Sequence, residues 1–141
     1  MYEKILLPTD GSVCSEKAAK HAMSIAQSYD SNIIVLNVLE IEPTSGIIMD
    51  IILKEGKASL NRTSNVFKNI EKEDNSKKEI EKIFLMKEGT AANEILKTAK
   101  KEDVDLIIIG ASGKHALERF LLGSVTQKVV KDAKCPVLTV H

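Results

Sequence analysis

Three glycines carry the chemistry this chain offers. They lie in the run IIIGASGKHALERFLLGSVTQKVV, Ile107 to Val130, spaced Gly110-x2-Gly113-x9-Gly123-Ser124. Gly110 follows an apolar strand pattern directly, and Gly123-Ser124 opens a helical one. Glycine lets main chain approach a ligand closely, and the free N–H groups of a helix start favour negative charge. The pattern points to a phosphate-bearing ligand, with a nucleotide as first choice. The amides of Ser124 and Val125 and the Ser124 hydroxyl would take the terminal phosphates. Two plainer readings stand beside this one. Gly110 and Gly113 fit an ordinary strand-to-helix loop, and Ser124 with Gln127 spells the S-x-x-Q of a capping box. Lys114 and Arg119 are solvated cations or charge for the phosphates.

The other reactive candidate is Asp10, in Pro8-Thr9-Asp10-Gly11-Ser12 just past the first strand. It reads either as a turn or N-cap carboxylate or as a ribose hydroxyl acceptor or water-mediated Mg²⁺ contact. No second acid, paired base or nucleophile–His arrangement accompanies it, so no catalytic set is expected. The glycines form neither a Walker A loop, since His115 follows Gly113-Lys114, nor a dinucleotide G-x-G-x-x-G after the first strand. His21, His115 and His141 are scattered, and neither cysteine pairs with a histidine at metal-ligand spacing, so no metal site is expected.

Alternating elements position these residues. Glu3–Leu7 reads as a strand, Ser15–Tyr29 as a helix with a small apolar stripe, and Asn32–Leu39 as a buried strand. Thr44 to Ile70 is mostly helical. Ile83–Met86 is the third strand, Thr90–Lys101 a helix capped by Thr90, and Asp105–Ile109 the fourth strand. A helix over Ser124–Asp132 and a strand over Val137–Val140 complete the chain. Strand–helix alternation at this rhythm predicts an α/β three-layer sandwich with a doubly wound parallel sheet. Ligands then bind beyond the carboxyl ends of the strands, where strand order reverses. That brings Pro8–Ser12 opposite Gly110–Gly113.

With 141 residues the chain is expected to form one domain, 1–141. Its formal net charge is zero, which argues against general affinity for nucleic acid or anionic membrane. Aromatics make up 4% with no tryptophan, too few for base-stacking platforms. No apolar run approaches the ~18 residues of a membrane helix, and the N-terminus lacks a signal peptide pattern. A cytoplasmic address is expected. Cys14 and Cys135 fall at opposite ends of the sheet and are expected as free thiols. Glu71–Lys82 reads as a charged surface connection. The apolar run Gly46–Leu53 reads as the first turns of a buried helix, or as a lid or dimer contact. The terminal strand either frays or pairs edge to edge with a second copy.

Taken together, the glycine pattern, the N-terminal KILLPTDGS and the C-terminal CPVLTV resemble the universal stress protein family, in its ATP-binding branch. The resemblance covers the whole chain. It implies a five-stranded parallel sheet in the order 3-2-1-4-5, homodimers joined through Val137–Val140, and a bound adenine nucleotide: ATP, or AMP or ADP, with or without Mg²⁺. Carried across, Pro8 and Thr9 shape the adenine pocket and Val38 contacts the base by main chain and side chain. Asp10 meets the ribose or phosphates. Gly110 and Gly113 line ribose and phosphates, and Gly123, Ser124 and Val125 hold the phosphates. The implied role is a dimeric sensor or regulator in a stress response, acting on an unidentified protein partner. The alternatives are a slow ATPase and a nucleotide-independent dimeric module. At Ala111-Ser112 many members carry a hydroxyl residue followed by a cation, so this chain lacks that charge.

Overall fold

The computed structural model describes residues 1–41, 46–75, 78–114 and 121–141. Five parallel strands form the middle layer: β1 (Lys4–Pro8), β2 (Asn32–Leu39), β3 (Lys82–Glu88), β4 (Leu106–Gly110) and β5 (Val137–Val140). Their spatial order is β3-β2-β1-β4-β5, as the family resemblance implies. The order reverses between β1 and β4, and both strands end at the same side of the sheet.

Side chains alternate across the pleat and build two cores. On one face Ile5, Leu7, Ile33, Val35 and Ile108 pack against α1 (Val13–Tyr29) and α2 (Gly46–Glu73). On the other, Leu6, Ile34, Leu36, Ile107 and Ile109 meet α3 (Ala91–Lys101) and α4 (Ser124–Asp132). Each fully buried Leu or Ile contributes about 1.5–3 kcal/mol by leaving water. The α1 face of Ala18, Ala19, Ala22, Met23 and Ala26 is small enough to lie close on the sheet.

Local chemistry sets the boundaries. Helix α1 begins at Val13, before the expected Ser15, because Ser12 is its N-cap and its Oγ accepts from the Ser15 N–H at 3.2 Å. It ends at Asp30, in the left-handed conformation at φ 60. Helix α2 runs three residues past Ile70, so the start of the charged Glu71–Lys82 tract is helical rather than a connection. Ile80 in that tract is buried in the core, and Lys82 begins β3. Thr44 lies outside the described residues.

The run Gly46–Leu53 departs most from expectation. It is helical but not buried: α2 first touches the core at Gly56, and Ile47, Ile48, Met49, Ile51 and Leu53 are exposed, Ile47 by 75%. Helical periodicity identifies a helix but not how far the sheet extends beneath it. Both cysteines are free. Cys14 sits beside Ser112, whereas Cys135 lies at the start of β5, where burial pushes its thiol above the usual range. No described helix is long and apolar enough to cross a membrane.

Candidate functional site

At the carboxyl ends of β1, β2 and β4 lies a cavity of about 550 Å³. All nine sequence-predicted positions line it: Pro8, Thr9, Asp10, Val38, Gly110, Gly113, Gly123, Ser124 and Val125. Lys114 lines it too, whereas His115 and Arg119 lie outside the described residues.

Two loops make one wall, tied together by Asp10. Its Oδ1 accepts from the Ser12 N–H at 2.9 Å, and its Oδ2 accepts from the Lys114 N–H at 3.2 Å. The first bond shapes the turn before α1. The second crosses from the β1 loop to the β4 loop. With both oxygens held by main-chain donors, Asp10 acts as a brace; its turn reading is correct, and the N-cap position belongs to Ser12. Gly113 is required by this brace, since a Cβ there would stand 2.7 Å from Asp10 Oδ2.

Gly110 is glycine for packing. A Cβ there would meet Cys14 Cβ at 2.9 Å and the α1 main chain at 3.0 Å. Its carbonyl accepts from Thr126 Oγ1 at 2.8 Å, which fixes α4 against the end of β4. The loop's return is anchored by the Gly123 N–H, which donates to the Ala111 carbonyl at 2.7 Å. The Ala111 N–H in turn donates to the Val140 carbonyl at 2.7 Å.

The capping-box expectation fails. Gly123 is the N-cap of α4 and makes no side-chain cap, while Gln127 turns outward and donates from Nε2 to the Leu122 carbonyl at 2.7 Å. Ser124 and Val125 therefore occupy the first turn, whose N–H groups have no partner within the helix. A Cβ at Gly123 would find its nearest neighbour, Ser112 Cα, only at 3.5 Å. The mouth of α4 thus lines the cavity with first-turn amides suited to an anion.

The opposite end is apolar. The β1 ladder stops at Pro8↔Leu36, yet β2 continues to Leu39. The Leu36 carbonyl accepts from the Thr9 N–H at 2.9 Å. Two residues on, Val38 presents its main chain to that same side, past the end of β1. Leu36, Ile95 and Ile109 line the cavity beside it. Sequence reasoning missed these three, although alternation along β2 and β4 places Leu36 and Ile109 on the face that α3 covers, and Ile95 lies on α3 itself. It also missed Glu40, whose Oε1 accepts from the Ala91 N–H at 2.8 Å. Thr90 is the N-cap of α3 as expected but makes no side-chain bond, so Glu40 supplies the cap. No spacing rule links Glu40 to a helix that starts after an intervening strand.

A buried polar cluster supports the β1 loop from the α2 side. Thr9 Oγ1 bonds with Ser15 Oγ at 3.3 Å and accepts from Thr63 Oγ1 at 3.2 Å, and Asn37 Nδ2 donates to the Thr9 carbonyl at 2.9 Å. Asn37 Oδ1 is buried without a hydrogen-bond partner among the described residues. Among those residues there is also no group of three His, Cys, Asp or Glu side chains that could hold a metal.

With this geometry established, comparison with known proteins gives the lineage. The family model described as "Universal stress protein family" matches residues 1–141. The chain belongs to the universal stress protein family. Universal stress protein MJ0531 of Methanocaldococcus jannaschii is 40% identical, over 99% of this chain and 82% of its own length. The solved structure of MJ0577, from the same organism, is 33% identical with a TM-score of 0.75, covering 99% of this chain and 96% of that one. A universal stress protein from Archaeoglobus fulgidus in complex with dAMP shares the fold at a TM-score of 0.75 and 22% identity, covering 99% and 98% of the two chains.

Proposed function

We propose that this universal stress protein binds an adenine nucleotide in the cavity at the ends of β1, β2 and β4, and works as a cytoplasmic dimeric regulator of a stress response. The observation that carries the reading is the polarity of that cavity. At one end, the helix mouth at Gly123, Ser124 and Val125 suits phosphate; at the other, Val38 main chain and the apolar walls of Leu36, Ile95 and Ile109 suit a purine. The complex of the Archaeoglobus relative with dAMP supports an adenylate in this fold.

In this reading the base lies on Val38, between Pro8, Thr9 and Ile109, and the ribose crosses Gly110 and Gly113. The phosphates take the α4 amides and the Ser124 hydroxyl. Lys114 stands at the same wall and supplies the charge that Ala111-Ser112 lacks. Each Asp10 oxygen accepts one main-chain N–H and keeps a further acceptor site for the ribose or for the water shell of a phosphate-bound Mg²⁺. ATP, ADP and AMP share every contact except those of the outer phosphates.

Regulation requires a ligand that binds one conformation better than another. In this reading, nucleotide occupancy orders the Gly110-to-Ser124 connection and the Gly46–Leu53 arm and so changes the surface offered to a protein partner. Dimers would form through the β5 edge, Val137–Val140.

The direct test is extraction: purified protein is heat-denatured and its supernatant assayed for ATP, ADP and AMP, with titration calorimetry on the nucleotide-free protein. Adenine nucleotide bound at one site per chain is the expected result. No binding at millimolar nucleotide would sink the reading. Protease sensitivity of the two segments should fall with nucleotide; equal cleavage counts against regulation.

A further inference from the structure

We propose that Glu40 is a specificity-determining residue, selecting nucleotides whose purine carries an amino rather than an oxo group at position 6. The inference rests on the nucleotide reading and deepens it.

Three charged side chains are among the described residues lining the cavity: Asp10, Glu40 and Lys114. They are not equivalent. Both Asp10 oxygens accept main-chain N–H bonds at the phosphate side. Glu40 stands at the other end, two residues beyond Val38 at the exit of β2. Its Oε1 is fixed by the Ala91 N–H at 2.8 Å, and no other described side chain or amide donates to the carboxylate. Glu40 is exposed in the open cavity, but its cap on α3 holds it in one place. The result is a positioned acceptor with a spare oxygen at the rim of an apolar purine slot.

A carboxylate has no proton to give near neutral pH, so it accepts only. The 6-amino group of adenine is a donor and satisfies it. The 6-oxo group of hypoxanthine is an acceptor, and turning it toward Glu40 places two acceptors against each other. A site built to bond one group discriminates against the analogue that presents the opposite polarity there.

Glu40→Gln isolates this role. The glutamine carbonyl still accepts from the Ala91 N–H, so the α3 cap survives, while the spare position becomes an NH₂ donor suited to an oxo group. Titration calorimetry with ATP and with inosine triphosphate, on wild type and Glu40→Gln, reads the effect; thermal melts check the fold. The wild type should prefer ATP, and the variant should lower the ATP-to-inosine-triphosphate affinity ratio by roughly tenfold or more. A purely structural cap would weaken both nucleotides alike and leave the ratio unchanged, which overturns the assignment. Purine riboside triphosphate, which lacks the 6-substituent, gives a check that needs no variant. Wild type should bind it roughly tenfold more weakly than ATP, and equal binding overturns the proposal. Wild-type protein that binds none of the three nucleotides refutes the nucleotide reading itself. Wild type that binds ATP with an unchanged ratio removes only Glu40.

Discussion

Gly110 and Gly123 face the same cavity for opposite reasons. Gly110 is wedged: a methyl group there would press into Cys14 and the α1 main chain at 2.9–3.0 Å. Gly123 is not, with its nearest neighbour at 3.5 Å and an N-cap backbone of φ −63, ψ 159 that other residues adopt readily. One glycine lets the protein fold around its site. The other is required neither by backbone conformation nor by packing, since a Cβ there would make only ordinary contacts, which fits a glycine kept for the approach of a ligand. A glycine motif in sequence merges these two roles.

Substitutions separate them. Gly110→Val should cost about 3 kcal/mol in urea unfolding, the upper range for overpacking, because the obstructing atoms include main chain. An unchanged midpoint would show that α1 can retreat. Gly123→Val should leave stability within about 0.5 kcal/mol yet weaken ATP binding by more than about tenfold. Wild-type affinity in this variant would break the contrast. Asp10→Asn replaces one acceptor oxygen with an NH₂ group, so one of the two amide bonds is lost. About 1 kcal/mol of stability should go with it, and cleavage near Lys114 by trypsin should accelerate. Ser124→Ala should be mildest: it removes one hydroxyl but keeps the α4 amides, so ATP affinity should fall by less than about tenfold.

The strands and their parallel alternation with helices were legible because β-branched runs such as Asn32–Leu39 and Ile107–Ile109 leave few alternatives, whereas the order 3-2-1-4-5 came from the family resemblance. Of the nine site positions, Asp10, Gly110, Gly113, Gly123, Ser124 and Val125 were legible in the residues themselves, and Pro8, Thr9 and Val38 only through the family resemblance; all nine meet in one cavity. What escaped depended on three-dimensional reach. Glu40 caps a helix 51 residues away, and Asp10 crosses 104 residues to Lys114. The S-x-x-Q pattern failed because Gly123 already holds the N-cap place. The arm at Gly46–Leu53 was misjudged because its apolar residues outrun the sheet they would otherwise cover.

Two bonds deserve to be followed outward: Gly123 N–H to the Ala111 carbonyl, and Ala111 N–H to the Val140 carbonyl, each 2.7 Å. Through a single alanine, the helix mouth that would grip phosphate is linked to the last residue of the sheet's outermost strand. Coupling of this kind is reciprocal by thermodynamic necessity. Under the proposed pairing of copies through β5, whatever factor that pairing adds to nucleotide affinity the nucleotide returns to the pairing, so sedimentation of the protein should shift toward the heavier species when ATP is added.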